Sequence, residues 1–164
     1  MATPRQSILT AGLRLDVQEF YSRYAECLEG GRLIHWPEFF ADACVYRVTT
    51  RRNYRLRLEE DLITLTGITA LRDHIAAVGR SEDFEPHLQR LYIGNFRIQA
   101  SSDEELHVQA NFQVLRTFPE RRTELFVSGS YLDRITVIRR RPYISEKLCL
   151  LDSDVPPDSL DLPI

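Results

Sequence analysis

Residues 105–117 alternate almost without interruption. Leu106, Val108, Ala110, Phe112 and Val114 hold one phase, and His107, Gln109, Asn111 and Gln113 hold the other. A period of two over so long a run predicts a strand with one apolar face and one hydrogen-bonding face. Three further runs of the same kind surround it: 90–99 (RLYIGNFRIQ), 123–137 and 143–151 (YISEKLCLL). FPERR at 118–122 and the charged stretch from Arg139 to Pro142 read as turns, which makes these strands antiparallel neighbours. Gly129, inside the third run, predicts a bulge or a sharp curve. Strands of about ten residues or more twist and coil, so the sheet acquires a concave face that something must fill.

The N-terminal half supplies the filler. From Asp16 to Leu28, Val17, Phe20, Tyr21, Tyr24 and Leu28 fall on one face at helical period. Asp16 and Glu19 have capping-box spacing, and Gly30–Gly31 provides a stop. HWPEFF (35–40) predicts a helical turn with Pro37 in its first turn, and its aromatics have the spacing to pack beneath the first helix. His35 is then a local hydrogen-bonding residue. Cys44 to Thr50 alternates as a strand, with Cys44, Tyr46 and Val48 on one side. RRNYRLRLEED (51–61) is charged, and the alternation of Tyr54, Leu56 and Leu58 suits a short edge strand or an ordered loop. A second helix is predicted over Thr69 to Val78, with Leu71, Ile75 and Val78 apolar and Gly79 ending it. SEDFEPH (81–87) is a loop, and Pro156–Pro157 keeps the tail irregular. Helices followed by long antiparallel strands indicate an α+β fold, here a bent sheet wrapped around helices in a cone. The expected organisation is one domain over 1–164, with an N-terminal extension at 1–15 and an irregular tail at 152–164.

Composition narrows the function. With 43% hydrophobic and 27% charged residues, 164 residues suffice for a real core. A net charge of −3 and the lack of a basic, aromatic stripe argue against nucleic acid. No stretch approaches the roughly 18 apolar residues of a membrane span, and MATPRQSILTAGLRL lacks the apolar core of a secretion signal. Cys27, Cys44 and Cys149 are odd in number and lack CxxC spacing, which predicts reduced thiols and a cytoplasmic location. Lys147 is the only lysine, against 20 arginines. Arginine suits buried or interfacial ion pairs, although a genome of high G+C content gives the same bias.

Signatures of chemistry are sparse. His35, His74, His87 and His107 lie far apart, without the paired Cys and His of a Rieske cluster or the spacing of a two-His, one-carboxylate iron site. GxGxxG, Walker A and GxSxG motifs are absent. Cys44 and Cys149 read as inward, structural thiols. Acid–base chemistry inside the cone would draw on Tyr46, His87, His107, Tyr131 and Asp133. Against that, His107 belongs to the outward phase of its strand. Tyr46 and Tyr131 can bury a ring and keep the hydroxyl at the rim, and Asp133 has arginines nearby to pair with. The outward phase of the sheet carries Gln, Asn, Ser and Arg, with Arg97, Arg116, Glu124 and Glu146 available for pairing. That composition suits burial against another subunit, and a solvated face remains the alternative.

WPEFFADACVYRVT (36–49), RLYIGNFRI (90–98), FVSGSYLDRI (126–135) and ISEKLCLLDSD (144–154), in this order and spacing, are similar to the small (beta) subunit of aromatic-ring-hydroxylating dioxygenases, the terephthalate type above all. The similarity runs from about residue 16 onward and leaves out the loop at 51–66. It implies the cystatin-like cone shared with nuclear transport factor 2 and scytalone dehydratase. It also implies a homotrimer within an α3β3 hexamer, with the Rieske [2Fe–2S] cluster and mononuclear iron in the large (alpha) subunit. No cofactor, metal ligand or catalytic residue is carried over to this chain. A stand-alone dehydratase or isomerase of the same cone, using an internal His/Asp/Tyr set, is the alternative expectation.

Overall fold

The computed structural model describes residues 11–78, 86–100, 102, 104–157, 160 and 162–164. Gly79, the expected helix stop, most of the 81–87 loop and the first ten residues lie outside them. Helix α1 (Ala11–Glu29) leads into a 3-10 turn (Leu33–Phe39) and strand β1 (Phe40–Thr50). Helix α2 (Arg51–Leu56), strand β2 (Ile63–Thr66) and helix α3 (Gly67–Val78) follow. The chain ends in four long strands, β3 (Leu88–Ala100), β4 (Glu105–Thr117), β5 (Glu124–Ile138) and β6 (Arg141–Leu151). They build one six-stranded sheet in the order β2-β1-β6-β5-β4-β3. Every neighbouring pair is antiparallel except β1 with β6, which run parallel. The curved, open sheet and the helices form the expected α+β cone. Among the described residues, no helix is long and apolar enough to cross a membrane.

Most elements follow from local pattern, and the departures have local causes. Helix α1 begins at Ala11, so residues 11–15 are helix rather than extension, and Asp16 and Glu19 sit exposed within it instead of capping it. Ala11, Leu13, Arg14 and Leu15 are strong helix formers, and Leu13 packs against the core. The 51–61 segment is not a strand. The Thr50 hydroxyl accepts the Asn53 N–H at 3.1 Å, and Arg57 closes the short α2 in the left-handed region at φ 54°. The edge strand lies further on, at Ile63–Thr66, paired with Val45–Val48. The last hairpin turn is tighter than expected: Arg139 (φ 49°) and Arg140 (φ 65°) alone make it, and Arg141 and Pro142 already belong to β6.

Register decides what faces inward. Regular pairing runs through Gly129, opposite Phe112 and Leu151, so no bulge occurs there. The glycine is required because a Cβ would meet the Leu150 carbonyl and stand 2.9 Å from the Phe112 ring, where β6 and the ring close in on β5. The nearest slip lies in β5 itself, where Val114 pairs with Val127 and Leu115 with Leu125, leaving Phe126 as the extra residue. A second lies in β6: Ile135 pairs with Ile144 and Arg134 with Glu146, leaving Ser145 as the extra residue. After it the phase of β6 inverts, and Lys147 and Cys149 point into the cone behind Ile144.

The core collects Val17, Phe20, Tyr21, Tyr24 and Leu28 of α1 and Leu71 of α3 against the inward phases of β1, β4, β5 and β6. HWPEFF is part of it: Trp36 is fully buried, its ring 5.0 Å from Phe40 and 5.1 Å from Tyr46, and Phe39 packs edge-on against Phe20 and Tyr24 of α1. Each such ring contributes about 1.5–3 kcal/mol relative to an exposed one.

Candidate functional site

The inward phases of three strands and the buried face of α1 converge on one polar cluster. Asp133 of β5 and Lys147 of β6 pair in register, both with side chains fully out of water. The Lys147 ammonium donates to Asp133 Oδ2 at 2.9 Å, and the Tyr21 hydroxyl donates to the same oxygen at 2.5 Å. The ammonium also lies 3.3 Å from the Tyr131 ring centroid and 4.8 Å from that of Tyr24. Tyr131 stacks on Phe112 with centroids 4.4 Å apart. Above this layer the Trp36 indole N–H donates to the Tyr24 hydroxyl at 3.0 Å, and the Tyr24 hydroxyl donates to the Ile164 carbonyl at 3.0 Å. The Ile164 N–H in turn donates to the Tyr46 hydroxyl at 3.2 Å. The last described residues of the tail thus fold back into the cone.

Burial is the leading electrostatic influence throughout. It raises the Asp133 carboxyl above its ordinary range, opposed by the Lys147 charge and the bond from Tyr21. It holds the phenols of Tyr21, Tyr24, Tyr46 and Tyr131 well above theirs, and pushes the Cys149 thiol up to about 12. An efficient acid–base group needs a pKa near the working pH. The phenols and this thiol are moved the other way, and the only ammonium in the cluster is bound to the only carboxylate.

Of the sequence candidates, the fold brings Tyr46, Tyr131 and Asp133 together and leaves both histidines out. His107 stands half-exposed on the outer face beside Glu105 at 3.1 Å, and the His87 ring packs 5.1 Å from Phe118. Tyr46 and Tyr131 do not reach the rim: both are completely buried, because α1 and the tail cover them. Asp133 pairs with the lone lysine and with no arginine. His35 bonds locally to Glu38 at 2.8 Å. Lys147, Tyr21, Tyr24 and Ile164 were missed as members of the cluster. The one available signal was a single lysine inside an apolar strand.

Among the described residues, no group of three or more His, Cys, Asp and Glu side chains is placed to hold a metal ion. The described residues therefore do not supply the ligand set of a Rieske cluster or a mononuclear iron.

The outer face of the sheet is polar and cross-linked. Arg51 donates to Asp152 at 2.7 Å and to Ser130 at 3.0 Å, Ser128 donates to Asp152, and Ser130 to Asn111. These residues border a groove of about 350 Å³ that also carries the exposed Tyr92. A second groove of about 390 Å³ runs past Arg47, Tyr54, Arg134 and Glu146.

A family model described as SnoaL-like domain matches residues 10–140. The chain is 29% identical over 150 residues to subunit beta 1 of the terminal oxygenase component of terephthalate 1,2-dioxygenase from Comamonas sp., covering 92% of this chain and 97% of that one. The crystal structure of the beta subunit of a proposed aromatic-ring-hydroxylating dioxygenase from Novosphingobium aromaticivorans superposes with a TM-score of 0.83 at 24% identity, over 92% of this chain and 95% of that one. A protein of unknown function with a cystatin-like fold from Nostoc punctiforme superposes with a TM-score of 0.67 at 17% identity, over 90% and 96% of the two chains.

Proposed function

Because the chain belongs to the SnoaL-like domain family, we propose that it is that fold adapted to a supporting role: the non-catalytic beta subunit of a Rieske non-haem iron aromatic-ring-hydroxylating dioxygenase. The complex would cis-dihydroxylate an aromatic compound in catabolism. The observation that carries this reading is the similarity to a terephthalate dioxygenase beta subunit along nearly the full length of both chains. The cone interior agrees with it, since the bonds of Lys147, Asp133 and Tyr21 and those of Trp36, Tyr24, Tyr46 and Ile164 run within the protein. The large (alpha) subunit would bring the [2Fe–2S] cluster and the iron. The chain, acting as one domain, would form a cytoplasmic homotrimer within an α3β3 hexamer. The outer sheet face, rich in Asn, Gln, Ser and Arg, is suited to burial against another subunit.

Co-expression with the large subunit tests the proposal. The expected result is a red-brown complex that contains both chains and oxidises an aromatic substrate, while this chain alone is colourless and trimeric by light scattering. A stable monomer that ignores the large subunit refutes it. The alternative of a stand-alone dehydratase needs a histidine beside Asp133, and His87 and His107 both lie elsewhere.

A further inference from the structure

We propose that the end of the molecule where the β5–β6 turn meets α1 is a docking surface for an acidic segment of a partner protein, one that carries an aromatic side chain between carboxylates. The inference is independent of the beta-subunit reading. Ile138 pairs with Arg141, so Arg139 and Arg140 alone form the turn, both with positive φ (49° and 65°). Such a two-residue turn favours Asn-Gly, because a long side chain gains nothing locally in the left-handed region. Two consecutive arginines stand there instead, and both are exposed. A local rule broken on an open surface points to a role outside the hairpin.

Arg141 continues the charge to a groove of about 440 Å³ between α1, the 3-10 turn and β6, which has Arg23 on its α1 side. Its apolar lining is Phe20, Phe39, Pro142 and Tyr143. Phe20 and Phe39 pack edge-on at 5.6 Å against the core, so this lining is rigid. The one carboxylate in the groove, Glu38, is held by His35 at 2.8 Å. Among the described residues, none of Arg23, Arg139, Arg140 and Arg141 makes a side-chain hydrogen bond or an ion pair, and Arg23 takes neither Glu19 nor Glu26 of its own helix. On the strand beside the turn, Glu105 is engaged by His107, while Glu104 has no ion pair among the described residues. Four unengaged guanidinium groups therefore gather at one end of a chain whose net charge is −3. A guanidinium fork takes a carboxylate bidentately, and arginine with aromatic residues is the composition enriched in interfaces. The positive end also steers an acidic partner toward it. A small aromatic acid needs only Arg23 and Arg141. Arg139 and Arg140 do not line the groove, so their placement favours a longer segment.

The full chain is titrated by calorimetry with acetyl-Glu-Glu-Phe-Glu-Glu-amide, with its counterpart acetyl-Gln-Gln-Phe-Gln-Gln-amide, and with benzene-1,4-dicarboxylate. Saturable binding of the acidic peptide is expected, at least about tenfold tighter than that of the glutamine peptide and weakening as salt rises from about 50 mM to about 300 mM. Arg139→Asn with Arg140→Gly installs the pair this turn prefers, so Tm should hold or rise while the acidic peptide binds at least about tenfold more weakly. Arg23→Gln with Arg141→Gln changes two exposed positions of α1 and β6 and should weaken the peptide likewise. No binding of the acidic peptide, equal binding of both peptides, or wild-type affinity in either double variant overturns the inference. Benzene-1,4-dicarboxylate binding as tightly as the acidic peptide overturns it in favour of a small-molecule site. If the turn variant does not fold, the Arg23→Gln, Arg141→Gln chain decides: weakened binding supports the surface, and wild-type binding overturns it.

Discussion

Replacing Lys147 with methionine tests the centre of the molecule. Methionine keeps an unbranched stem between Tyr131 and Tyr24 and removes the charge together with its hydrogen bond to Asp133. Both members of the Lys147–Asp133 pair are fully buried, and they share one 2.9 Å bond. Without the ammonium, Asp133 keeps the Tyr21 hydroxyl and the Leu148 backbone N–H against the desolvation that already raises its pKa. Removing one partner of a buried pair costs about 3–5 kcal/mol, a large share of the roughly 5–15 kcal/mol of a typical domain. The loss has a distinctive pH dependence. The folded-state pKa of Asp133, raised above the unfolded value, rises further in the variant, so a protonated Asp133 stabilises it at low pH and that stability is lost as pH rises through the folded pKa. Urea unfolding at pH 5 and pH 8 of wild type, Lys147→Met, Asp133→Asn and the double variant measures this. Lys147→Met should lose more at pH 8 than at pH 5, and the double variant should lose less than the sum of the single losses, by a coupling of about 2 kcal/mol or more. A cost below about 1 kcal/mol at pH 8, or a loss equal at both pH values, would refute the assignment of an isolated buried charge.

Other substitutions probe the same architecture. Gly129→Ala places a Cβ against the Leu150 carbonyl and 2.9 Å from the Phe112 ring, and should lower Tm by roughly 4–8 °C in a thermal melt. Tyr21→Phe deletes a hydrogen bond to a carboxylate and should cost about 1.5–3 kcal/mol in urea unfolding. Cys149, with its thiol pushed from 9.0 to about 12, contributes stability that is complete below pH 9 and lost as the pH rises above it. At pH 10.5 that share has fallen by about 2 kcal/mol, and Cys149→Ala should show a correspondingly flatter decline in Tm between pH 8.5 and 10.5.

The alternation of β4 alone sets its bounds and its inner face, and the apolar spacing of Val17, Phe20, Tyr21, Tyr24 and Leu28 does the same for the buried side of α1, because period and polarity are properties of adjacent residues. HWPEFF was legible for the same reason: an aromatic knot with no acid, base or ligand around it packs as core. Short-range chemistry was harder to read. Thr50 capping turned an alternating segment into α2, and a helix start was misplaced where helix formers ran past a plausible cap.

The candidate site depended on contacts that no local pattern contains. Alternation carried through β6 from Ile144 would point Glu146 inward and Lys147 out. The single extra residue at Ser145 reverses that choice and brings the only lysine to Asp133, whose oxygen then takes the Tyr21 hydroxyl from a helix 112 positions away. Likewise nothing in the run from 152 to 164 marks its last residue as the one that fills the cone, since the groups that bind it come from α1, β1 and β6. The sequence by itself determined a curved α+β sheet with an apolar interior, for periodicity is local. Which polar groups lie inside it, and what closes it, only the tertiary structure decided, because a bulge and a returning tail take effect through partners far away in the chain.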